Sequence, residues 1–188
     1  MMVGPDKVDL KVVLLGREYS GKTALAHRYL LQKFNPHMNY QTTVGAAYGA
    51  RKFEVDKQTI FMGLWDTAGS ERYECMSHVY YHGAWAALVC FELIDRESWL
   101  RARHWANEVM TRGDEGCKIY LIGTKADLVT EPGTPRKIEY ATAKSYADDI
   151  RAKYIETSSK TGQNVEEMYC MIAEDYVADM AKKTKGEN

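Results

Sequence analysis

The chain has no long apolar run; the longest, Ala84 to Phe91, is too short to cross a bilayer. Nor does it carry a surplus of charge of one sign. Lys and Arg number 25 against 26 Asp and Glu, a net charge of -1. That balance has no electrostatic footprint for nucleic acid, and no nucleic-acid partner is expected. Cysteines are few and far apart. Cys75, Cys90, Cys117 and Cys170 form no metal-ligand spacing and are expected to be reduced, mostly core residues of an intracellular protein. The opening residues Met1-Met2-Val3-Gly4-Pro5-Asp6 lack the basic-then-apolar order of a signal peptide. No glycine stands at position 2 for myristoylation. Internal repeats, linkers and low-complexity stretches are also missing. A chain of 188 residues then suits a single domain over 1–188, with short flexible ends expected at about 1–6 and 182–188. It is long enough to bury a core without staples.

What is present is organised around Gly16-Arg17-Glu18-Tyr19-Ser20-Gly21-Lys22-Thr23. Gly, four free positions, then Gly-Lys-Thr is the phosphate-binding loop pattern. Gly16 and Gly21 let the backbone bend around a closely approaching phosphate. Successive N–H groups, through Ala24, form an anion nest for it. Lys22 is a point charge able to reach the β- and γ-phosphates, and Thr23 offers a hydroxyl to Mg²⁺, which prefers oxygen ligands. An apolar, β-branched run, Leu10 to Leu15, precedes the loop, and a helix-forming run, Ala24 to Leu31, follows it. Strand, loop and helix in this order place the phosphates at a helix N-terminus, where the dipole favours anions.

Further along, Phe34 to Gly45 reads as a loop. Ala46 to Val55 and Thr59 to Trp65 read as a hairpin turning at Asp56-Lys57, and Asp66 at its end is placed to hold Mg²⁺ through water. Glu71 to His82 reads as a short, imperfect helix and Ala84 to Phe91 as a central buried strand. Trp99, Ala102, Trp105, Ala106, Val109 and Met110 form a helical core stripe. Lys118 to Gly123 is a strand, Glu139 to Ala152 a helix and Tyr154 to Thr157 a short strand. A last helix starts at Asn164, whose side chain can cap it with Glu167 as its box partner. Strands alternating with helices predict a doubly wound α/β fold. It has a six-stranded, mostly parallel sheet with one antiparallel strand, and five helices over both faces. Ligands of such sheets bind at the carboxyl ends of the strands.

Two runs fall at those ends, Thr124-Lys125-Ala126-Asp127 and Glu156-Thr157-Ser158-Ser159-Lys160. A carboxylate such as Asp127 can accept from N1–H and the 2-amino group of guanine. Adenine would leave it unpaired, a difference worth about 10⁴-fold in discrimination. The backbone N–H near Ser159 can donate to the guanine carbonyl, and Lys125 can lay its stem over the base.

These motifs together resemble a small GTPase of the Ras superfamily, Rab branch, over residues 8 to about 180. The Rab-type markers are Thr43-Val44-Gly45-Ala46-Ala47-Tyr48, Trp65-Asp66-Thr67-Ala68-Gly69, Glu71-Arg72-Tyr73 and Tyr80-Tyr81-His82-Gly83-Ala84. The Gly-Ala-Ala-aromatic form looks like the endocytic group of that branch. The resemblance implies a small G domain of the P-loop NTPase fold that binds GTP or GDP with Mg²⁺ and acts as a switch in vesicle traffic. Phe34 would stack on guanine, Thr43 would report the γ-phosphate through Mg²⁺, and Gly69 would contact that phosphate by its N–H. Thr23, Thr43 and Asp66 would be the metal-side residues. Lys22, Thr43, Gly69 and Ser70 would serve hydrolysis. Effectors would meet the switches near 36–45 and 68–82, with Val44, Tyr48, Trp65, Tyr80 and Tyr81 as an apolar patch.

An exchange factor, a GTPase-activating protein and an escort or dissociation-inhibitor chaperone are partners by the same resemblance, to a protein expected to be monomeric. It would cycle between cytoplasm and late endosomal or autophagic membranes. The sequence closes without a terminal cysteine, so membrane contact is expected only through a tail beyond these residues.

Four positions depart from the family pattern. Ser70 stands where most relatives have the glutamine that orients the attacking water, which predicts slow hydrolysis. Glu18 and Tyr19 put bulk, and in Glu18 a negative charge, beside the phosphates. Thr124 replaces an asparagine that ties the base loop to the phosphate loop, which predicts a lost hydrogen bond and weaker nucleotide retention. A nucleotide-bound effector module with negligible hydrolysis is the alternative.

Overall fold

A computed structural model describes residues 8–34, 46–69 and 77–186. The strands are β1 (Leu10–Gly16), β2 (Ala46–Val55), β3 (Gln58–Thr67), β4 (Ala86–Glu92), β5 (Lys118–Thr124) and β6 (Lys153–Glu156). The helices are α1 (Lys22–Leu31), α2 (Ser77–Tyr81), α3 (Arg96–Arg112), α4 (Tyr140–Asp149) and α5 (Val165–Gly186). The sheet order is β2-β3-β1-β4-β5-β6. All neighbours are parallel except β2 and β3.

The period-2 alternation of β1 divides the core. Leu10, Val12 and Leu14 join one buried cluster with Leu25, Ala26 and Tyr29 of α1 and the apolar face of α5. Val13 and Leu15 point the other way, to a cluster with Trp99, Ala102, Trp105 and Val109 of α3 and Ala143 and Ala147 of α4. With both faces covered, β4 is apolar at every position before Glu92, as a parallel central strand requires. The hairpin turns on Asp56 (φ 48°) and Lys57 (φ 65°), with Val55 opposite Gln58. Two left-handed central residues match the twist of the flanking strands.

Several expectations change. Met110 is 46% exposed, because it falls at the edge of the stripe that buries the other five α3 residues. Of the cysteines, Cys90 is buried and Cys117 and Cys170 are half-buried free thiols; Cys75 lies outside the described residues. Burial pushes the Cys90 thiol up to about 12. Asn164 does not cap through its side chain. It stands at φ 56°, and its amide donates to the Glu156 carbonyl at 2.8 Å, tying the end of β6 to the start of α5. Helix α5 also continues to Gly186, into the stretch expected to be a flexible end. No helix among the described residues is long and apolar enough to cross a membrane.

Candidate nucleotide-binding site

The phosphate-loop sequence joins β1 to α1 as the pattern requires. Gly16 has φ 143°, and a Cβ there would strike the Cys90 carbonyl of the neighbouring strand. Only glycine fits so close an approach. Lys22 is 5% exposed and donates to the Gly16 carbonyl at 3.0 Å and the Arg17 carbonyl at 2.8 Å. Its ammonium therefore lies across the loop's own backbone. Burial lowers its pKa, opposed by Cys90, Asp66 and Glu18. The neighbouring Arg17 reaches outward to Asp95 (3.0 Å) and Glu97 (2.7 Å) at the start of α3.

β3 extends two residues beyond the expected Trp65, pairing Asp66 with Leu14 of β1 and Ala47 of β2. Asp66 is 4% exposed, and its Oδ2 accepts from the Thr23 hydroxyl at 2.7 Å. Its other oxygen is buried without a hydrogen-bond partner. Burial raises its pKa, against the Thr23 bond and the charges of Lys22 and His27. A buried carboxylate oxygen left over beside a hydroxyl suits an oxygen-seeking divalent cation and its waters. The donor set of Thr23 and Asp66 thus fits Mg²⁺. Gly69 meets the loop through its carbonyl, which accepts from the Glu18 N–H at 3.1 Å. A Cβ on Gly69 would strike the Glu18 backbone nitrogen and lie 2.6 Å from the Arg17 carbonyl carbon, so this position also has room only for glycine.

Thr124 overturns one expectation. Its buried hydroxyl lies 2.8 Å from the Ser20 carbonyl of the phosphate loop and 3.0 Å from the Phe91 carbonyl of β4. The tie expected to be lost is made by the threonine. A hydroxyl has one proton for the two carbonyls, whereas an asparagine amide has two.

At the other end of the site, Asp127 Oδ1 accepts from the Ser158 hydroxyl at 2.5 Å, and Oδ2 lies 3.7 Å from Lys160 Nζ. The Ser158 hydroxyl also accepts the Thr161 N–H at 3.1 Å. Backbone bonds from Thr157 N–H to Gly123 and from Ala126 N–H to Thr157 lock the two loops together at 2.7 and 3.0 Å. Ser159 follows, half-buried. Lys125 stands at φ 59° and pairs with Glu92 at 2.8 Å.

The structure thus brings Glu18 to Thr23, Asp66, Gly69 and Thr124 into one group, and Asp127, Ser158 and Lys160 into a second. Thr124 joins the first group to the base-loop run that carries Asp127. Tyr19 stands at φ 65° and is 55% exposed. Ala24 lies in the first turn of α1, and Phe34 is half-buried just past its end. Thr43, Ser70 and Val44 lie outside the described residues. Of the expected effector patch, Tyr48 (49% exposed) packs at 4.7 Å against Trp65 with the rings tilted by 55°, and Lys11 lies over the Trp65 ring. Tyr80 is half-buried, but Tyr81 is 1% exposed and belongs to the core. Sequence reasoning missed Glu92, whose signal was an acid at the end of an apolar strand, the same signal that marked Asp66.

Residues 11–178 match the family model described as Ras family. Among curated relatives, "Ras-related protein Rab-24" of Dictyostelium discoideum is 40% identical over 170 residues, covering 90% of this chain and 82% of that protein.

Proposed function

The chain belongs to the Ras family as a Rab-like small GTPase acting in membrane trafficking, and on that premise we propose that it is a guanine-nucleotide switch with weak intrinsic hydrolysis. The reading rests above all on the Thr124 hydroxyl. It links the phosphate loop to the loop carrying Asp127, so that one ligand with phosphates at one end and a base at the other spans both.

In this reading Asp127, held by Ser158, accepts from the guanine edge, and the backbone near Ser159 donates to the guanine carbonyl. The stem of Lys125 and the ring of Phe34 cover the base. The N–H groups from Glu18 to Ala24 take the phosphates, and Lys22 turns from its backbone carbonyls to the β- and γ-oxygens. Gly69 must withdraw its carbonyl from the Glu18 N–H for a phosphate to take it. Mg²⁺ would sit at Thr23, at Thr43 and through water at Asp66; bound there, it supplies neutralisation of phosphate charge.

Slow hydrolysis follows from two residues. The Ser70 side chain is too short to orient the attacking water as glutamine does. The Glu18 carboxylate, on the phosphate loop four residues before Lys22, offsets part of the positive charge available to the transferring phosphate. The same two features extend to the second reading, a GTP-loaded effector module with negligible hydrolysis, and the rate separates the two. In single-turnover assays Ser70→Gln is expected to hydrolyse GTP at least about tenfold faster than the wild type. A wild-type rate equal to that of Ser70→Gln would contradict the proposal. Effectors are assigned to the Tyr48–Trp65 face, and exchange and activating factors to the switches. The compartment is assigned to late endosomal or autophagic membranes.

A further inference from the structure

Three carboxylates at the base end of the site each lie within ion-pair distance of a cation, and one of the cations, Lys160, is shared, bonding Glu131 at 3.2 Å. Asp127 lies near Lys160, at 3.7 Å. Glu156 takes Arg136 through two 2.7 Å bonds. Glu92, the last residue of β4, takes Lys125 at 2.8 Å, with the two side chains only 12% and 29% exposed.

The backbone beneath Glu92 is fixed. Its N–H donates to the buried Ser98 hydroxyl at 2.9 Å, its carbonyl accepts from the Asp95 N–H at 3.2 Å, and it stands in register with Thr124. Lys125 is the opposite case. Its φ of 59° lies in the left-handed region, which a lysine adopts only when its surroundings hold it there.

We propose that Glu92 is a positioning residue of the guanine site, pinning the Lys125 ammonium so that the lysine stem lies along the base and the charge stays away from Asp127. The proposal rests on the guanine-nucleotide reading above. Glu92 itself touches no ligand in this account and acts through Lys125. Without its charge, a cation two residues from Asp127 is left to compete for the oxygens that the guanine edge requires. A hydrogen-bonded charge pair at this burial corresponds to about a tenfold change in release rate.

The test measures release of a fluorescent GDP analogue, in Mg²⁺ and excess GDP, from wild type, Glu92→Gln, Lys125→Met and the double variant, with a melting temperature for each. Glu92→Gln is expected to release about tenfold faster than wild type and to add less than about twofold in the Lys125→Met background. A role in fold stability alone would make release rise only in step with a fall in melting temperature; that result, an effect undiminished in the Lys125→Met background, or wild-type release from Glu92→Gln, overturns the proposal. Should Glu92→Gln not fold, Glu92→Asp carries the same comparison, since it keeps the charge but shortens the reach by one methylene. A wild-type chain that holds no guanine nucleotide overturns the functional reading itself, a result distinct from unchanged release by a variant that does hold it.

Discussion

At the scale of single residues, Thr124 is where chemistry and pattern part. Judged by pattern it lacks the family's asparagine; judged by geometry it keeps a donor between two buried carbonyls. Removing that donor leaves buried acceptors unpaired, a cost of about 1–3 kcal/mol. Thr124→Val is therefore expected to release nucleotide about tenfold faster, and Thr124→Asn, with two N–H groups, no faster than wild type. A Thr124→Val release rate equal to wild type would show that the tie is idle. Glu156 gives a pH prediction. Burial pushes its carboxyl up, but the Arg136 pair and the Tyr154 hydroxyl (2.6 Å) outweigh burial and hold it below its ordinary value of 4.5. A carboxyl held down in the fold stabilises it above that value, and the contribution is lost as pH falls through the folded pKa. The wild-type melting temperature should thus fall more steeply below about pH 4.5 than that of Glu156→Gln; parallel curves would contradict this. The phosphate loop and Lys-x-Asp were legible in the sequence because their spacing is local. Partners such as Glu92 for Lys125 or Thr23 for Asp66 come from different strands and loops, and no spacing announces them.

Among the elements, β2 is one of the two edge strands, with a single neighbour in the sheet, and side chains hold it from the side. Arg51 in its middle makes two bonds to Glu166 of α5, at 2.8 and 2.7 Å. The same guanidinium lies 5.3 Å from the ring centres of both Tyr29 and Phe53. Tyr29 in turn stacks on Tyr169 of α5 at 3.8 Å. This clamp ties the hairpin to α1 and α5. Since Glu166 is half exposed, its charge contributes about 1 kcal/mol at most. Glu166→Gln should lower the melting temperature by about 2–4 °C for a domain of this size, and calorimetry showing no change would remove the clamp. Element type was legible because β1 and β4 alternate or run apolar as buried strands do, and α3 carries its stripe at helical spacing. Boundaries were less so. β3 runs on through Asp66 to Thr67 because both edges find partners, and Thr67 bonds the Leu14 carbonyl at 2.6 Å. Propensity does not encode that gain.

At the scale of the molecule, two cores back a single sheet, and every candidate site group found among the described residues gathers at one end of it. That arrangement was legible from strand–helix alternation alone, because a parallel sheet brings its strand ends and following loops to one side. The proposal for the whole molecule is a guanine-nucleotide site whose hydrolysis is weak because a serine at position 70 replaces the water-orienting glutamine and Glu18 puts a carboxylate on the phosphate loop. The most direct measurement is to extract and identify the nucleotide carried by the purified protein. The chain is then loaded with GTP and followed for a day in Mg²⁺, beside Ser70→Gln. The expected result is guanine nucleotide, with loaded GTP persisting in the wild type and converting to GDP in Ser70→Gln. Adenine nucleotide, or GTP turned over by the wild type as fast as by Ser70→Gln, would contradict it.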